Sequence, residues 1–249
     1  LAAATASVLD LFPQTVQLNA FAQPGRRDAF RALIARVDAW ERAAQAVGLM
    51  AFVSDPNPAQ DALWRDAGFS FEGMRTSLRL ELGDGFVAPE VEPPEGVELL
   101  ALRERPELAS AALETWNRTH LDIPTAIAFD AVDHAGWLRE LDMTEGDEFP
   151  EGLFVAIAGD EDVVGIALVN VTDPDQQLGG HRFTGVAPEW RGRGIARALK
   201  AATIRHAARS GMSALRATND EGNPAMRAVN ERFGYRAQHR IGLYRRIRT

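Results

Sequence analysis

The residues best suited to chemistry stand together in the hexapeptide Arg191-Gly192-Arg193-Gly194-Ile195-Ala196. Ile195, Leu199 and Ala202 recur at helical spacing and predict a helix from about Gly194 to Ser210. Backbone N–H groups at a helix start, cleared of side chains by glycines, form a concave anion site, and Arg191 and Arg193 add positive charge beside it. A glycine turn that merely joins a strand to a helix has the same pattern, so these six residues alone leave both readings open. No Lys-Ser/Thr follows Gly194 and no acidic ribose ligand is suitably spaced, which argues against a nucleotide loop.

The elements that must position this loop can be read on both sides of it. A short strand, Arg182 to Val186, precedes it. Gly211 ends the helix in a left-handed turn, and Ala214 to Thr218 reads as a strand. Asn223 caps the next helix with Pro224 at its first position, Gly234 closes it, and Gln238 to Arg246 reads as a terminal strand. Upstream stand a strand (98–102), a helix (106–118), a helical segment (132–141) and paired strands (153–158 and 163–171) around the turn Gly159-Asp160-Glu161-Asp162. This order predicts an α/β fold with a mixed sheet.

The chain also repeats itself. Asn223-Pro224-Ala225 through Gly234-Tyr235 is matched by Asn57-Pro58-Ala59 through Gly68-Phe69, and Ala196-Arg197-Ala198-Leu199 by Phe30-Arg31-Ala32-Leu33 at the same offset. Between these anchors each copy has a helix followed by an apolar run, Gly48 to Val53 in one and Gly211 to Arg216 in the other. Two copies of one unit are the economical reading. Gly83 to Gly96, with three prolines and three glycines, reads as a linker. The expected organisation is therefore 1–82, linker 83–96, and 97–249. The first copy has too few residues ahead of its helix and is expected to be partial or truncated.

The net charge of −8 hides a segregation: residues 1–82 carry −1, residues 83–180 carry −18 and residues 181–249 carry +11. Summed fields of this kind concentrate ligands of opposite sign. An anion belongs with the last third and a cation with the middle, unless the two segments simply pair with each other. The overall negative charge disfavours nucleic acid. The absence of cysteine excludes disulfides, thiolate metal sites and a cysteine nucleophile, and fits a cytoplasmic protein. The histidines show no metal-ligand spacing, and no apolar run is long enough for a membrane span. The opening Leu-Ala-Ala-Ala-Thr-Ala lacks Met and the basic stretch of a signal peptide, so residues are expected to be missing before Leu1.

Val186-Ala187-Pro188-Glu189-Trp190 ahead of the loop, the helix behind it, and Asn219, Asn223 and Gly234-Tyr235 beyond closely resemble the Gcn5-related N-acetyltransferase family. Arg191, Gly194 and Ala196 match the family's Arg/Gln-x-x-Gly-x-Gly/Ala loop. The resemblance covers about 97–249, with a degenerate copy in 1–82. It implies two units, each a mixed, mostly antiparallel sheet flanked by helices. It also implies acetyl-CoA as acyl-donor co-substrate without a metal, a small-molecule amine as acceptor, and a monomer or homodimer. By it the amides of Arg191, Gly192, Arg193, Gly194, Ile195 and Ala196 bind the CoA pyrophosphate. Val186 pairs with the pantetheine arm where two strands splay, and Asn219 and Asn223 contact the cofactor from the other wall, Asn223 being a helix cap first. At the loop position the first copy reads Gly25-Arg26-Arg27-Asp28-Ala29-Phe30, where Asp28 would repel a phosphate and a β-carbon would obstruct it, so that copy is expected to be a scaffold.

The chemistry after binding is less plainly written. Where the family often has a tyrosine acid, this chain has Asn230, an amide that donates a hydrogen bond but delivers no proton. His181 and Glu189 are candidate bases, and a base acting through water is compatible with either. Trp116, His120, Asp122 and Thr184 fall where the family builds its acceptor site, and Trp137 is a further candidate for its lining. A cationic amine, such as an amino sugar or polyamine, is expected there. The alternative is a CoA-binding module without catalysis.

Overall fold

The structure is a computed structural model, and it describes residues 2–9, 12–22, 27–43, 48–123 and 130–247. Gly25, Arg26 and Pro124, which figure in the sequence reading, lie outside the described residues. The chain divides into two compact units. The first takes in the described residues up to Ser77 and those from His239 onward, and the second takes in those between Leu78 and Gln238.

In the first unit, strands β1 (Ala2–Leu9) and β2 (Phe12–Ala22) form an antiparallel pair. Helix α1 (Arg27–Ala43) then crosses to β3 (Gly48–Ser54), which runs parallel to β2. Helix α2 (Pro58–Asp66) is capped by Asn57, whose Oδ1 accepts from the Gln60 N–H at 3.0 Å while Gln60 returns a bond to the Asn57 N–H. That reciprocal box satisfies two amides that the first turn would otherwise leave open. Phe30, Ile34 and Val37 on one face of α1 meet Leu49, Ala51 and Val53 on one face of β3, as periods of 3.6 and 2 require. Trp64 fills the centre, edge-on to Phe30 and Phe69 and stacked on Tyr244.

The second unit is a sheet in the order β4 (Ser70–Glu81, through its final residues), β9 (Ala214–Asp220), β8 (Leu178–Val186), β7 (Asp162–Asp173), β6 (Leu153–Ala158), β5 (Val97–Ala101). Helices α3 (Ala109–Leu121) and α4 (His134–Glu140) cover one face, where Trp116, Trp137 and Leu138 pack on Val155, Ile166 and Phe183. Helix α5 (Ile195–Arg209) covers the other, where Ile195 and Leu199 pack on Ala156, Val164 and Ala167. Glycines let both helices come close. A β-carbon at Gly185 would sit 2.4 Å from Thr119 Oγ1 of α3, and one at Gly165 would sit 3.0 Å from Leu199 of α5. Helix α6 (Pro224–Arg232) follows β9, and β10 (Arg236–Ile247) follows α6.

The order β1, β2, α1, β3, α2 in the first unit repeats the order β7, β8, α5, β9, α6 in the second, including the parallel pairing across the helix. What the sequence repeat does not reveal is where the strand after each Gly-aromatic turn goes. β10, which follows the Gly234-Tyr235 turn, pairs antiparallel with β3 of the first unit over seven residue pairs. The final residues of β4, which follows Gly68-Phe69, belong to the second unit, where Leu78, Leu80 and Leu82 pack on Ile204, Leu215 and Tyr235. The compact units thus part within β4, ahead of 83–96. That segment carries no regular helix or strand.

A polar cluster is buried between β8 and α5. Register shifts from Leu168↔Phe183 to Val169↔His181 leave Arg182 as a bulge, so His181 and Phe183 face opposite sides of the sheet instead of the same side. His181 therefore points at α5. Its Nδ1 lies 3.3 Å from Tyr235 Oη and its Nε2 3.2 Å from Thr184 Oγ1 and 3.3 Å from Thr203 Oγ1. Lys200 is buried beside it, its Nζ 5.0 Å from the centre of the Tyr235 ring. Burial lowers Lys200 to about 7 and, with the Lys200 charge, holds His181 well below its ordinary 6.5.

Two expectations follow. A chain ending at Gln238 lacks the strand that completes β3 and supplies Leu243 and Tyr244. Limited proteolysis is expected to cut residues 1–77 rapidly in that variant while the second unit stays protected. Unfolded Lys200 keeps its proton up to about 10.5, whereas the folded one releases it near 7. The unfolded state then binds more protons between those values, so stability rises with pH across that window. Lys200→Met is expected to remove that slope and raise stability at pH 7 by on the order of a few kcal/mol, measured by urea unfolding from pH 7 to 10.

Candidate functional site

The site arises where β8 and β9 part. They are paired in parallel only through Leu178↔Ala214, Gly179↔Leu215 and Gly180↔Arg216. The bulge at Arg182 then turns β8 away. Beyond it the antiparallel ladder with β7 resumes, and the Ala187 N–H donates to Val164 O. The alternation of such a ladder puts the N–H and C=O of Thr184 and Val186 on the other edge, facing the gap. A cleft of about 850 Å³ opens here, between this edge, the Arg191–Arg197 segment, the end of α3 and one face of α6.

The loop supplies the cleft's anion-binding end. Gly194 caps α5 at φ +93°, with no side chain bonded to the first turn, and Gly192 stands at φ +76°. It is this left-handed backbone that requires glycine, because a β-carbon at either position would touch nothing within 4 Å. Among the described residues the amides from Gly192 to Ala196 have no protein acceptor. A helix start of this kind carries partial positive charge and unused donors. Arg191, Arg193, Arg197 and Arg232 line the cleft with a single carboxylate, Asp122. Arg193 lies over Trp190, its guanidinium carbon 4.5 Å from the ring centre, and donates to Glu189 O.

Of the predicted cofactor residues, Val186, Arg191, Gly192, Arg193, Gly194, Ile195, Ala196 and Asn223 all line this cleft. Asn223 also caps α6, its Oδ1 accepting from the Met226 N–H at 3.1 Å. Asn219 does not line it. It is buried under α6, where it accepts from Asn230 Nδ2 at 2.9 Å. Asn230 is fully buried by the same contact and presents nothing to the cleft.

The predicted acceptor residues divide as well. Asp122 and Thr184 line the cleft. Trp116 is buried in the core under α3, Trp137 is fully buried beside it, and His120 stacks on Phe183 with ring centres 4.2 Å apart. Burial takes His120 down to about 4. Neither candidate base lines the cleft. His181 is turned inward by the bulge and kept neutral. Both carboxylate oxygens of Glu189 accept from Arg118 Nη2, at 2.8 and 2.9 Å; its own backbone N–H and that guanidinium hold it below the usual carboxylate range. The two tyrosines are also elsewhere: Tyr235 is buried against His181, and Tyr244 donates to Asp61 in the first unit.

Residues not anticipated also face the cleft. Thr119 and Ile123 come from the end of α3, and Ala225, Ala228, Val229 and Arg232 from one stripe of α6. Their helical spacing was available in the sequence, but an apolar stripe ordinarily signals core. No group of three or more His, Cys, Asp or Glu side chains among the described residues is arranged to hold a metal, and no described helix is long and apolar enough to cross a membrane.

Known proteins resemble this chain in one segment of sequence and in fold. Residues 112–235 match the sequence model of the acetyltransferase (GNAT) family. None of the curated proteins matches the chain in sequence. Among solved structures, a GCN5-related N-acetyltransferase from Sphaerobacter thermophilus superposes with a TM-score of 0.73 at 21% identity, covering 99% of this chain and 76% of its own. A tandem GNAT protein from the clavulanic acid biosynthesis pathway gives 0.63 at 21% identity, covering 94% and 75%. A GCN5-related N-acetyltransferase from Kribbella flavida gives 0.61 at 20% identity, covering 93% and 81%. These likenesses establish a mixed α/β fold of the same kind, and the family model adds a likeness in sequence: the segment Ala112–Tyr235 is similar to the acetyltransferase (GNAT) family.

Proposed function

We propose that the second unit is an acyl-CoA-dependent N-acyltransferase that moves an acetyl group from acetyl-CoA to the amine of a small cationic molecule. The observation that carries this reading is the parted strand edge of Thr184 and Val186 leading to the unfilled amides of Gly192–Ala196. An amide-bearing arm can pair with the former while a pyrophosphate sits on the latter. Both substrates then lie in one cleft, and direct attack needs no enzyme-bound acyl group. The amine nitrogen forms a bond to the thioester carbon, the carbon–sulfur bond breaks, the amine gives up a proton and the thiolate takes one. Positioning is the larger part of the catalysis, since no tyrosine or histidine lines the cleft and burial keeps His120 and His181 neutral. Water in the cleft is the carrier assigned to the protons.

The charge pattern supports a cationic acceptor. The arginines of the last third line the donor end, and Asp122 of the acidic middle third stands opposite. We read the first unit as a degenerate second copy of the fold that acts as a scaffold, because α1 already begins at Arg27 and Asp28 occupies the place of Gly194. A cytoplasmic monomer or homodimer is the corresponding assembly. The burial of Asn230 and of both tyrosines favours one other reading, a CoA-binding module without catalysis.

Thiol release from acetyl-CoA, measured across a panel of polyamines, amino sugars and acidic amino acids, separates the two. Turnover is expected with cationic acceptors. Binding of CoA with no turnover of any amine establishes the module, and turnover of acidic acceptors alone overturns the acceptor class. In Gly194→Asp, CoA is expected to raise the melting temperature far less than in wild type, each compared with its own ligand-free baseline. An equal rise in both would remove the loop from the site.

A further inference from the structure

Arg191 differs from the other arginines of the cleft in what it holds. Its Nε donates to Val186 O at 2.9 Å, and its Nη2 donates to Asp122 Oδ2 at 2.9 Å. Val186 O belongs to the free strand edge, and Asp122 is the residue at which α3 ends. One guanidinium therefore occupies both a backbone acceptor on the donor side and the lone carboxylate on the opposite side. Resting on the acyl-CoA reading above, we propose that Arg191 exchanges partners. In the free protein it masks Val186 O and Asp122; it leaves both for the donor's pyrophosphate, so that Asp122 receives a cationic amine only once the donor is in place.

The energetics favour an exchange over a fixed strut. The Arg191–Asp122 pair is exposed at both ends, 47% and 46%, and exposed ion pairs contribute little. Two phosphate oxygens offer a guanidinium parallel charge-assisted bonds and more negative charge than one carboxylate. The neighbouring carboxylate, Glu189, makes its hydrogen bonds with Arg118 through both oxygens. Arg193 cannot substitute for it, being stacked on Trp190 and bonded to Glu189 O. Among the described residues Asp122 has no other partner, so the departure of Arg191 leaves a bare carboxylate facing the acceptor end.

Calorimetric titration of CoA into wild type, Asp122→Asn, Arg191→Gln and the double variant tests the exchange. Asp122→Asn is expected to tighten CoA by about 2- to 5-fold, the release of one exposed ion pair. Arg191→Gln is expected to weaken it by about 10-fold or more, and Asp122→Asn to change nothing further in that background. The Arg191 Nε–H resonance is expected to shift when CoA is added to wild type. Weaker CoA binding in Asp122→Asn, or the same change in both backgrounds, overturns the exchange while leaving the CoA site standing. Absence of CoA binding to the wild type overturns both.

Discussion

Parallel strands β8 and β9 stay hydrogen-bonded for three residue pairs and then separate, and the site depends on that separation. Had pairing continued, the N–H and C=O groups of Thr184 and Val186 would be consumed within the sheet and no ligand could use them. The cause is local. One extra residue, Arg182, bends β8 where it is held by β7 on its other side. The same bend sets the direction from which the chain enters the loop, and hence where the first turn of α5 points. A single inserted residue thus makes the gap, presents the strand edge and aims the amides.

The bulge also sorts the titratable groups. It sends His181 inward to Tyr235 and Lys200, where burial makes charge costly and keeps the imidazole neutral. It leaves Thr184 facing the gap. The result is a cleft whose charge comes almost wholly from arginines that cannot deprotonate, with one carboxylate among them. Such a lining holds anions at any physiological pH and offers few groups to carry protons.

Much of this was legible in the residues. Ile195, Leu199 and Ala202 announced α5, Gly194 its start, Gly211 its end, and Asn223-Pro224 the start of α6; each is a local signal with a local cause. The loop and its flanks were equally legible, because the left-handed turns demand glycine at fixed places. The orientation of His181 was not. Strand periodicity puts residues 181 and 183 on one face, and only the bulge, a consequence of pairing with β7, separates them. Asn230 was misjudged for a related reason. The resemblance put it at the position of the family's tyrosine, but it is buried on α6 against Asn219 of β9, and no spacing in the sequence discloses that bond. The destination of β10 was hidden too, since the repeated order of elements offers a closing strand two places.

That last feature bears on how the chain comes into being. β3 waits for a partner that is encoded almost two hundred residues later, at Ile241–Ile247. During synthesis every element from β1 to α6 leaves the ribosome before that partner does. Domains ordinarily complete themselves in the order in which they are made. Here the unit made first is finished by the strand made last of those described, and until then its edge is open to pairing with other chains. The arrangement makes the vectorial phase of folding the interval in which this protein is most exposed to misassembly.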